Sequence, residues 1–314
     1  MHLPCSILLK PINYYLLPMS THLKLVALAN TAIPAELNVA FAEHAKVLGI
    51  AITKEGVENT HSKYFTARWT CSQVLMPEAK VAMRDIAAAH DTDLAFLSPG
   101  FKPDTVKVLA MDMDSTLINI ECIDEIADFT GKKAAVSEIT EATMRGEIKD
   151  FKESLRRRVA LLGGVSAGVL DSVYKERLRL NPGAAKLLAG ANAQGLYTLL
   201  VSGGFTFFTE KLQQELGFKQ TQANTLEIID GKLTGKVIGD IVDGAAKNVY
   251  LQKACSLMNC EKEKSITMGD GSNDLPMMHG SGISIAYRAK PIVKEKADAA
   301  FDRVGLDAAL LLIA

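Results

Sequence analysis

A short apolar run that ends in two carboxylates is the feature that most constrains the fold of this chain. The run is Val106–Met111, which is apolar apart from Lys107, and it is followed by Asp112, Asp114, Ser115 and Thr116. A continuous apolar run of this length is typical of a parallel strand that is buried on both faces. In an extended chain, residues 112 and 114 point to the same side. The sequence therefore predicts a buried strand that delivers two acids to one edge of a parallel sheet.

Two carboxylates held this close need a counter-charge, because like charges repel unless a cation or a proton separates them. Mg²⁺ is the simplest candidate, since it prefers oxygen ligands. The six histidines are scattered and form no HExxH or similar cluster, so a zinc site is not expected. We therefore expect a magnesium site at the end of this strand.

The length and composition indicate a catalytic core with one smaller domain. The chain has 314 residues and a formal net charge of −1, without a basic stripe or a charged block, so a nucleic-acid partner is not expected. It has no uncharged apolar run of about 18 residues, so a membrane span is not expected. The five cysteines lack CxxC spacing, which favours reduced thiols in a cytoplasmic protein.

The first 18 residues are interpreted as an N-terminal extension of uncertain role. They are apolar but are broken by Lys10, Pro11 and Pro18, and they lack the basic start of a signal peptide. Met19 is an alternative start to Met1, because a strand pattern opens soon after it.

Residues 19–100 are predicted to form a small α+β domain, ferredoxin-like or ACT-like. The segments that carry this pattern are strand-like Leu23–Ala29, Lys63–Thr70 and Asp93–Leu97, and helical Pro34–Leu48 and Pro77–His90. No catalytic constellation lies in this region. We interpret it as a structural or dimerising domain, with a small-molecule regulatory site as the alternative. Ser98–Pro103 is typical of a linker.

Residues 105–314 alternate strands and helices as a doubly wound α/β domain with a parallel sheet does. The strand candidates are Val106–Met111, Leu196–Val201, Ser265–Met268 and Ile283–Ala286. Between the first two strands lies an insertion, from about residue 119 to about residue 182, that has no strand pattern. Its helical segments are Lys133–Arg145, Asp150–Leu162 and Ala167–Leu178. We expect this insertion to form a cap over the mouth of the site. Asn181-Pro182 is predicted to cap the next helix, and Asp230-Gly231 to turn a hairpin.

Three more groups of polar residues follow predicted strands. Taken singly, each has an ordinary explanation as a turn, a solvated lysine or a loop. Together with Asp112 and Asp114, they fall at the carboxyl ends of predicted parallel strands, where α/β proteins bind ligands. The groups are Ser202-Gly203-Gly204, then Lys247 after the hairpin, then Gly269-Asp270-Gly271 with Asn273 and Asp274.

This set of motifs resembles the haloacid-dehalogenase-like phosphatases, and in detail the phosphoserine phosphatase family of bacterial serine biosynthesis. The resemblance extends from about residue 105 to about residue 305. Further matches are Glu121–Ala127, Met144-Arg145-Gly146, Phe151–Val159, Ile241–Lys247 and Ala289–Pro291. It implies a haloacid-dehalogenase-like core with a helical cap.

The resemblance also implies a mechanism. Asp112 is the expected nucleophile, which forms an aspartyl-phosphate, and Asp114 is the expected general acid and base. The expected ligands of Mg²⁺ are the Asp112 carboxylate, the Asp270 carboxylate and the backbone carbonyl of Asp114. Asp274 is expected to hold a metal-bound water. The remaining expected ligands of the phosphate are Lys247, Ser202, Gly203 and Asn273.

Substrate choice is expected to come from the cap. By resemblance, Glu121 pairs with the ammonium of O-phospho-L-serine and Arg158 binds its carboxylate in a fork, while Met144 and Phe151 seal the pocket. Arg156 and Arg157 are expected on the surface. The expected reaction is Mg²⁺-dependent hydrolysis of O-phospho-L-serine, the last step of serine biosynthesis, with no nucleic-acid or membrane partner and with a homodimer through the N-terminal domain.

Two alternatives stay open. The nearer is a related phosphatase acting on phosphohomoserine, phosphothreonine or another small phosphate ester. The farther is an amino-acid-binding regulatory module whose second domain is inert, although intact Asp112, Asp114, Lys247 and Asp270 oppose it.

Overall fold

The computed structural model describes residues 22–59, 63–145 and 147–313, leaving out the side chains of residues 57–59 and 144. The extension predicted over residues 1–18, and the choice between Met1 and Met19, fall outside these ranges. Their strands are β1 (Leu23–Ala29), β2 (Ile52–Asn59), β3 (Phe65–Cys71), β4 (Asp93–Leu97), β5 (Val108–Met111), β6 (Tyr197–Phe205), β7 (Gln220–Ile229), β8 (Lys232–Ile238), β9 (Ser265–Gly269), β10 (Ile283–Tyr287) and β11 (Ala299–Phe301). Their α-helices are α1 (Ala35–Val47), α2 (Pro77–Ala89), α3 (Cys122–Phe129), α4 (Lys133–Met144), α5 (Phe151–Ala160), α6 (Gly168–Ser172), α7 (Ala184–Ala193), α8 (Thr206–Leu216), α9 (Gly244–Leu257), α10 (Leu275–Met278) and α11 (Pro291–Lys296).

The N-terminal region has the order β1-α1-β2-β3-α2-β4, which is that of a ferredoxin-like unit, and its strands lie in the order β2-β3-β1-β4. Side chains alternate along β1, so Leu25 and Ala27 pack under the two helices with Phe41 and Trp69. Val26, on the opposite face, joins the core of the rest of the chain. Strand β1 is therefore buried on both faces.

The sheet does not end at the N-terminal region. Strand β4 pairs antiparallel with β11, where Ala95 lies opposite Ala299 and Leu94 opposite Ala300. Within the described ranges, one 11-stranded sheet runs in the order β2-β3-β1-β4-β11-β10-β9-β5-β6-β7-β8. The predicted linker at 98–103 thus connects two parts of one sheet. Whether residues 19–100 fold as a separate domain stays a prediction.

The second part has the predicted α/β architecture. Strands β10, β9, β5, β6 and β7 are mutually parallel neighbours, and β7 and β8 form the predicted hairpin. The hairpin turns at Asp230 and Gly231, which both have positive φ (50° and 72°) as a tight primed turn requires. Because β5, β6 and β9 run in the same direction, their carboxyl ends meet at one edge.

The insertion after β5 is helical, as predicted, and contains α3 to α6. The chain leaves the core at Ile118 and returns at Leu180, and these two residues form a short antiparallel bridge. Asn119 and Arg179 extend this bridge, because the Asn119 N–H donates to the Arg179 carbonyl at 3.0 Å. Two adjacent chain segments therefore connect the cap to the core.

The prediction that Asn181 caps the following helix was wrong. Helix α7 begins at Ala184, after Gly183 with a φ of 85°, and no side chain caps it. The Asn181 amide instead donates to the carbonyls of Thr116 and Ile118, at 2.9 Å each. Buried carbonyls without a partner are costly, so the amide is better used here than at a helix end that water can reach.

Two general expectations concern membrane spans and the state of the cysteines. No helix in the described part of the chain is long and apolar enough to cross a membrane. The cysteines in that part, Cys71, Cys122, Cys255 and Cys260, are all free thiols.

Candidate active site

A cavity of about 640 Å³ lies between the cap and the carboxyl edge of β5, β6 and β9. Most of the side chains predicted for the site reach it from both sides. Its lining includes Asp112, Asp114, Glu121, Phe151, Arg158, Ser202, Gly203, Asp270 and Asn273. The helical insertion and the core therefore line one shared cavity.

The first strand end supplies Asp112 and Asp114, both of which are buried. The Asp112 N–H donates to the Met268 carbonyl of β9 at 3.0 Å, which fixes this residue at the sheet edge. One Asp112 carboxylate oxygen accepts from the Met113 N–H at 2.7 Å. The chain then turns sharply at Ser115, whose φ is 56°. The turn folds the following segment back, because the Ser115 N–H donates to the Ile120 carbonyl at 3.1 Å, and this places Glu121 and Cys122 near Asp114.

Lys247, in the first turns of α9, is fully buried between two acids. Its Nζ lies 2.8 Å from Asp112 Oδ1 and 2.7 Å from Asp274 Oδ1. Burial alone would lower the pKa of Lys247, but the charges of Asp112 and Asp274 outweigh burial and raise it above its ordinary value. Lys247 is therefore a permanent cation, and the ordinary interpretation of a solvated lysine is wrong for it.

Asp112, Asp270 and Asp274 form a cluster in which one carboxylate oxygen of each lies within 4.8 Å of the others. Burial, and then the charge of Asp274, raise the pKa of Asp112 well above its usual range and that of Asp270 to about 7. When all three carboxylates are ionised, as a bound cation would favour, the single Lys247 ammonium leaves two negative charges. An all-oxygen donor set with this charge fits a hard divalent cation. The Asp114 carboxylate does not belong to this cluster.

Asp114 has a different environment from Asp112. Its carboxylate accepts from the Cys122 N–H at the start of α3, at 3.4 Å. Burial, and then the charge of Glu121, raise the pKa of Asp114 to about 8. At neutral pH this side chain therefore holds a proton, which suits a general acid.

The loop after β6 brings backbone groups to the cavity. The Ser202 hydroxyl accepts from the Gly204 N–H at 2.8 Å. A Cβ atom on Gly204 would lie 2.7 Å from Asp114 Oδ2 and 2.8 Å from Met113 Cε, so only glycine permits this approach. The loop is thereby packed directly against Asp114.

Two residues outside the loop fix Gly203. The Asn224 amide donates to the Gly203 carbonyl at 2.8 Å and accepts from the Val242 N–H at 2.8 Å. The ring of Phe151, from the cap, lies 3.1 Å from where a Gly203 Cβ would stand. The sequence predicted Phe151 but missed Asn224, whose only signal is a polar residue inside a strand pattern.

The loop after β9 presents Asn273 to the cavity and keeps Asp274 behind it. Asp274 is fully buried, and its second oxygen accepts from the Gly271 N–H at 3.0 Å. A Cβ on Gly269 would lie 2.5 Å from the Asp274 carboxylate. Asp270 turns toward the first strand end, because the Thr116 hydroxyl donates to its Oδ1 at 3.2 Å.

The cap contributes charges of both signs. Glu121 accepts from the Ser115 hydroxyl at 2.6 Å and stays accessible from the cavity. Arg158 is half-buried, whereas Arg156 and Arg157 are exposed as predicted. Burial lowers the pKa of Arg158, although the nearby charges of Asp124 and Glu121 oppose this.

Among the described residues that line the cavity, two have a buried polar atom without a hydrogen-bond partner: Arg158 at Nε and Asp124 at Oδ1. Unpaired buried groups of opposite charge fit a ligand that itself carries both charges. Asp124 was not predicted; its signal is its position three residues after Glu121, on the same helical face. The side chain of Met144 lies outside the described part of the chain.

Comparison with known proteins agrees with this geometry. The haloacid dehalogenase-like hydrolase family matches residues 109–279. A phosphoserine phosphatase of a Polaromonas species is 54% identical over 220 residues, which is 69% of this chain and 93% of that protein.

Two of the solved structures that are similar to the chain cover different shares of it. One is a probable phosphoserine phosphatase from Vibrio cholerae in its unliganded form, with a TM-score of 0.75 and 32% identity, over 92% of this chain and 86% of that one. The other is a phospho-aspartyl intermediate analogue of phosphoserine phosphatase, with a TM-score of 0.62 and 37% identity, over 67% of this chain and 99% of that one.

Proposed function

Because the chain belongs to the haloacid dehalogenase-like hydrolase family, we propose that it hydrolyses O-phospho-L-serine to L-serine and phosphate, as the last step of serine biosynthesis. The observation that carries this proposal is the pairing of two charge sets across one cavity. Asp112 and Asp114 lie on the core side, and Glu121 and Arg158 lie on the cap side. The first pair suits phosphoryl transfer, and the second suits an amino acid.

The cap side recognises the amino-acid part of the substrate. Arg158 binds the substrate carboxylate, which gives its unpartnered Nε a hydrogen-bond acceptor. Glu121 pairs with the substrate ammonium. Phe151, which packs over Gly203, closes the pocket against water, and Met144 at the end of α4 is proposed to assist it.

The core side performs the reaction in two steps. Asp112 attacks the phosphorus atom and forms an aspartyl-phosphate, while protonated Asp114 gives its proton to the leaving serine oxygen. Asp114, now ionised, then takes a proton from the water that hydrolyses the aspartyl-phosphate. A pKa of about 8 allows Asp114 to serve in both directions near neutral pH. The named phospho-aspartyl intermediate analogue among the similar structures supports this assignment.

Mg²⁺, when bound, supplies the positive charge that lets an anionic carboxylate approach an anionic phosphate. The groups that would hold it are the Asp112 and Asp270 carboxylates and the Asp114 backbone carbonyl, with Asp274 beside them. Lys247 neutralises Asp112 and Asp274 from behind. Ser202, the Gly203 N–H and Asn273 orient the transferring group by hydrogen bonds.

Phosphate release from O-phospho-L-serine tests this function. We expect release by the full chain in Mg²⁺, none in EDTA, and recovery when Mg²⁺ is added in excess. The Asp112→Asn variant is the control, because an amide is a poor nucleophile, and its thermal melting reports whether it is folded. Release that persists in EDTA, or in Asp112→Asn, contradicts the mechanism. Release only from esters without amino and carboxylate groups contradicts the substrate assignment.

We also propose a homodimer formed through the N-terminal region. Val39 and Val47 on α1, and Met76 before α2, are large apolar side chains with exposed fractions of 55%, 83% and 70%. A second copy of the chain would cover them. The molar mass in solution, measured by light scattering, tests this arrangement.

A further inference from the structure

We propose that Lys290 is a further substrate-binding residue, and that Arg84 of the N-terminal region positions it by holding helix α11. The Lys290 part of this inference rests on the proposed phosphoserine phosphatase function. The Arg84 part rests on the contacts alone. Through Arg84, the N-terminal region would help to position a residue of the binding site.

Arg84 contacts the C-terminal end of α11. Arg84 lies on α2, and its guanidinium donates to the carbonyl of Lys294 at 2.5 Å and to that of Ala297. These are carbonyls at the C-terminal end of α11, which have no partner within the helix. The same helix end carries partial negative charge, which a guanidinium stabilises. Arg84 therefore caps a helix that belongs to the other part of the chain.

The guanidinium is held firmly in this position. It stacks on the ring of Phe96 in β4, 5.0 Å from the ring centroid. Burial lowers the pKa of Arg84 to about 10, so the side chain remains charged at neutral pH. Strand β4 is the strand that pairs with β11, which follows α11 almost directly. The Arg84 hydrogen bonds and the pairing of β4 with β11 therefore both fix the C-terminal end of α11.

The opposite end of α11 reaches the active site. Lys290 precedes the helix, and its N–H donates to the Asp270 carbonyl at 3.0 Å. The Lys290 carbonyl accepts from the N–H groups of Val293 and Lys294, at 2.9 and 3.2 Å. The helix has six residues, so Arg84 and Lys290 act on its two ends less than two turns apart. Loosening one end of so short a helix frees the other.

Charge balance in the cavity gives Lys290 its function. Carboxylates dominate the lining: Asp112, Asp114, Glu121, Asp124 and Asp270. Among the described residues that line the cavity, the cations are Arg158 and Lys290, since Lys247 lies behind the surface. A phosphate ester with a carboxylate is strongly anionic. Lys290 is exposed and lies on the lining of this cavity, so its charge attracts such a substrate.

Kinetics of two variants and a control test this inference. Lys290→Met should raise KM for O-phospho-L-serine roughly two- to fivefold, with little change in kcat, because an exposed charge contributes modestly. Arg84→Met should raise KM in the same way, and Arg84→Lys should restore part of the loss. Arg303→Met is the matched control, because the Arg303 guanidinium also joins the two parts of the chain but donates to Asp93 and the Ala88 carbonyl instead of to carbonyls of α11.

The double variant and hydrogen exchange decide whether Arg84 acts through α11. If it does, Arg84→Met should add little to KM in the Lys290→Met background. Amides of residues 293–297 should exchange faster in Arg84→Met than in Arg303→Met. Additive KM effects, equal exchange in both variants, or an unchanged KM in Lys290→Met would each overturn the proposal. If the wild type released no phosphate from phosphoserine, the proposed function would fail, while the exchange comparison would still decide the role of Arg84.

Discussion

The charged pair on the cap predicts that substrate charges can be removed one at a time and matched to residues. Arg158→Ala should lower kcat/KM for O-phospho-L-serine but scarcely for O-phosphoethanolamine, which has the amine without the carboxylate. Glu121→Gln should lower kcat/KM for O-phospho-L-serine and for O-phosphoethanolamine. It should scarcely change kcat/KM for the phosphate ester of 3-hydroxypropanoate, which has the carboxylate without the amine. Each variant thus loses one discrimination and keeps the other.

The structure sets the magnitude of the Arg158 effect. Arg158 is half-buried, and its Nε has no partner, so a bound carboxylate completes its hydrogen bonding. A hydrogen bond to a charged group contributes roughly 1.5–3 kcal/mol, or on the order of ten- to a hundredfold in kcat/KM. Arg158→Lys should recover only part of this, because an ammonium lacks the planar fork of a guanidinium.

The assay is kcat/KM for the three esters in the wild type and in each variant. The matched control is Arg157→Ala, since Arg157 lies on the same helix but is exposed and pairs with Glu153. The ratio between esters is the measured quantity, because removing the Glu121 charge also relieves one cause of the raised pKa of Asp114. Equal losses on all esters would mean that the two residues support the cap. No loss in Arg158→Ala would place Arg158 with its solvated neighbours.

Further predictions concern the acids of the core. Asp114→Asn should lower turnover by ~10²–10⁴-fold, the usual contribution of general acid–base catalysis, and near-normal single-turnover rates would refute its role. Asp270→Ala should weaken Mg²⁺ binding, measured by calorimetry, more than substrate KM; Ca²⁺ should support turnover poorly in the wild type, since it prefers more ligands and longer bonds. In EDTA, the free energy of unfolding should fall as pH rises from about 5 to 7, because folded Asp270, with a pKa of about 7 against an ordinary 3.8, keeps a proton that the unfolded chain releases. Urea unfolding at both pH values checks this, and Mg²⁺ should reduce the difference; a rise in stability over that range would contradict it.

Local patterns were enough to predict most of the elements. Strand β1 has the predicted bounds, and α2 differs from the prediction by one residue at its end. These segments were visible because apolar periodicity and turn residues act over a few positions. Strand β2 (Ile52–Asn59) was missed, because Lys54, Glu55 and Gly56 give an edge strand a polar sequence with little strand signal.

Contacts between distant parts of the chain could not be predicted. Asn181 and Pro182 fit a local helix-start pattern, yet the Asn181 amide bonds to carbonyls more than 60 residues away. Asn224, which holds the Gly203 carbonyl, and Arg84, which holds α11, likewise act through partners that no local pattern reveals. The pairing of β4 with β11 belongs to the same class. Sequence motifs thus located the acids of the proposed reaction, and the groups that hold the surrounding loops appeared only in the fold.

Asp112 and Asp114 show how position in the fold separates two identical side chains. Burial raises the pKa of both. Asp112 touches Lys247 and shares the cluster of Asp270 and Asp274, so a divalent cation bound there would lower its pKa and leave it an ionised nucleophile. Asp114 turns away from that cluster toward Glu121, whose charge keeps its proton in place. The proposed roles therefore follow from the neighbours of each acid: Asp112 lies against the Lys247 ammonium, and Asp114 lies near the Glu121 carboxylate.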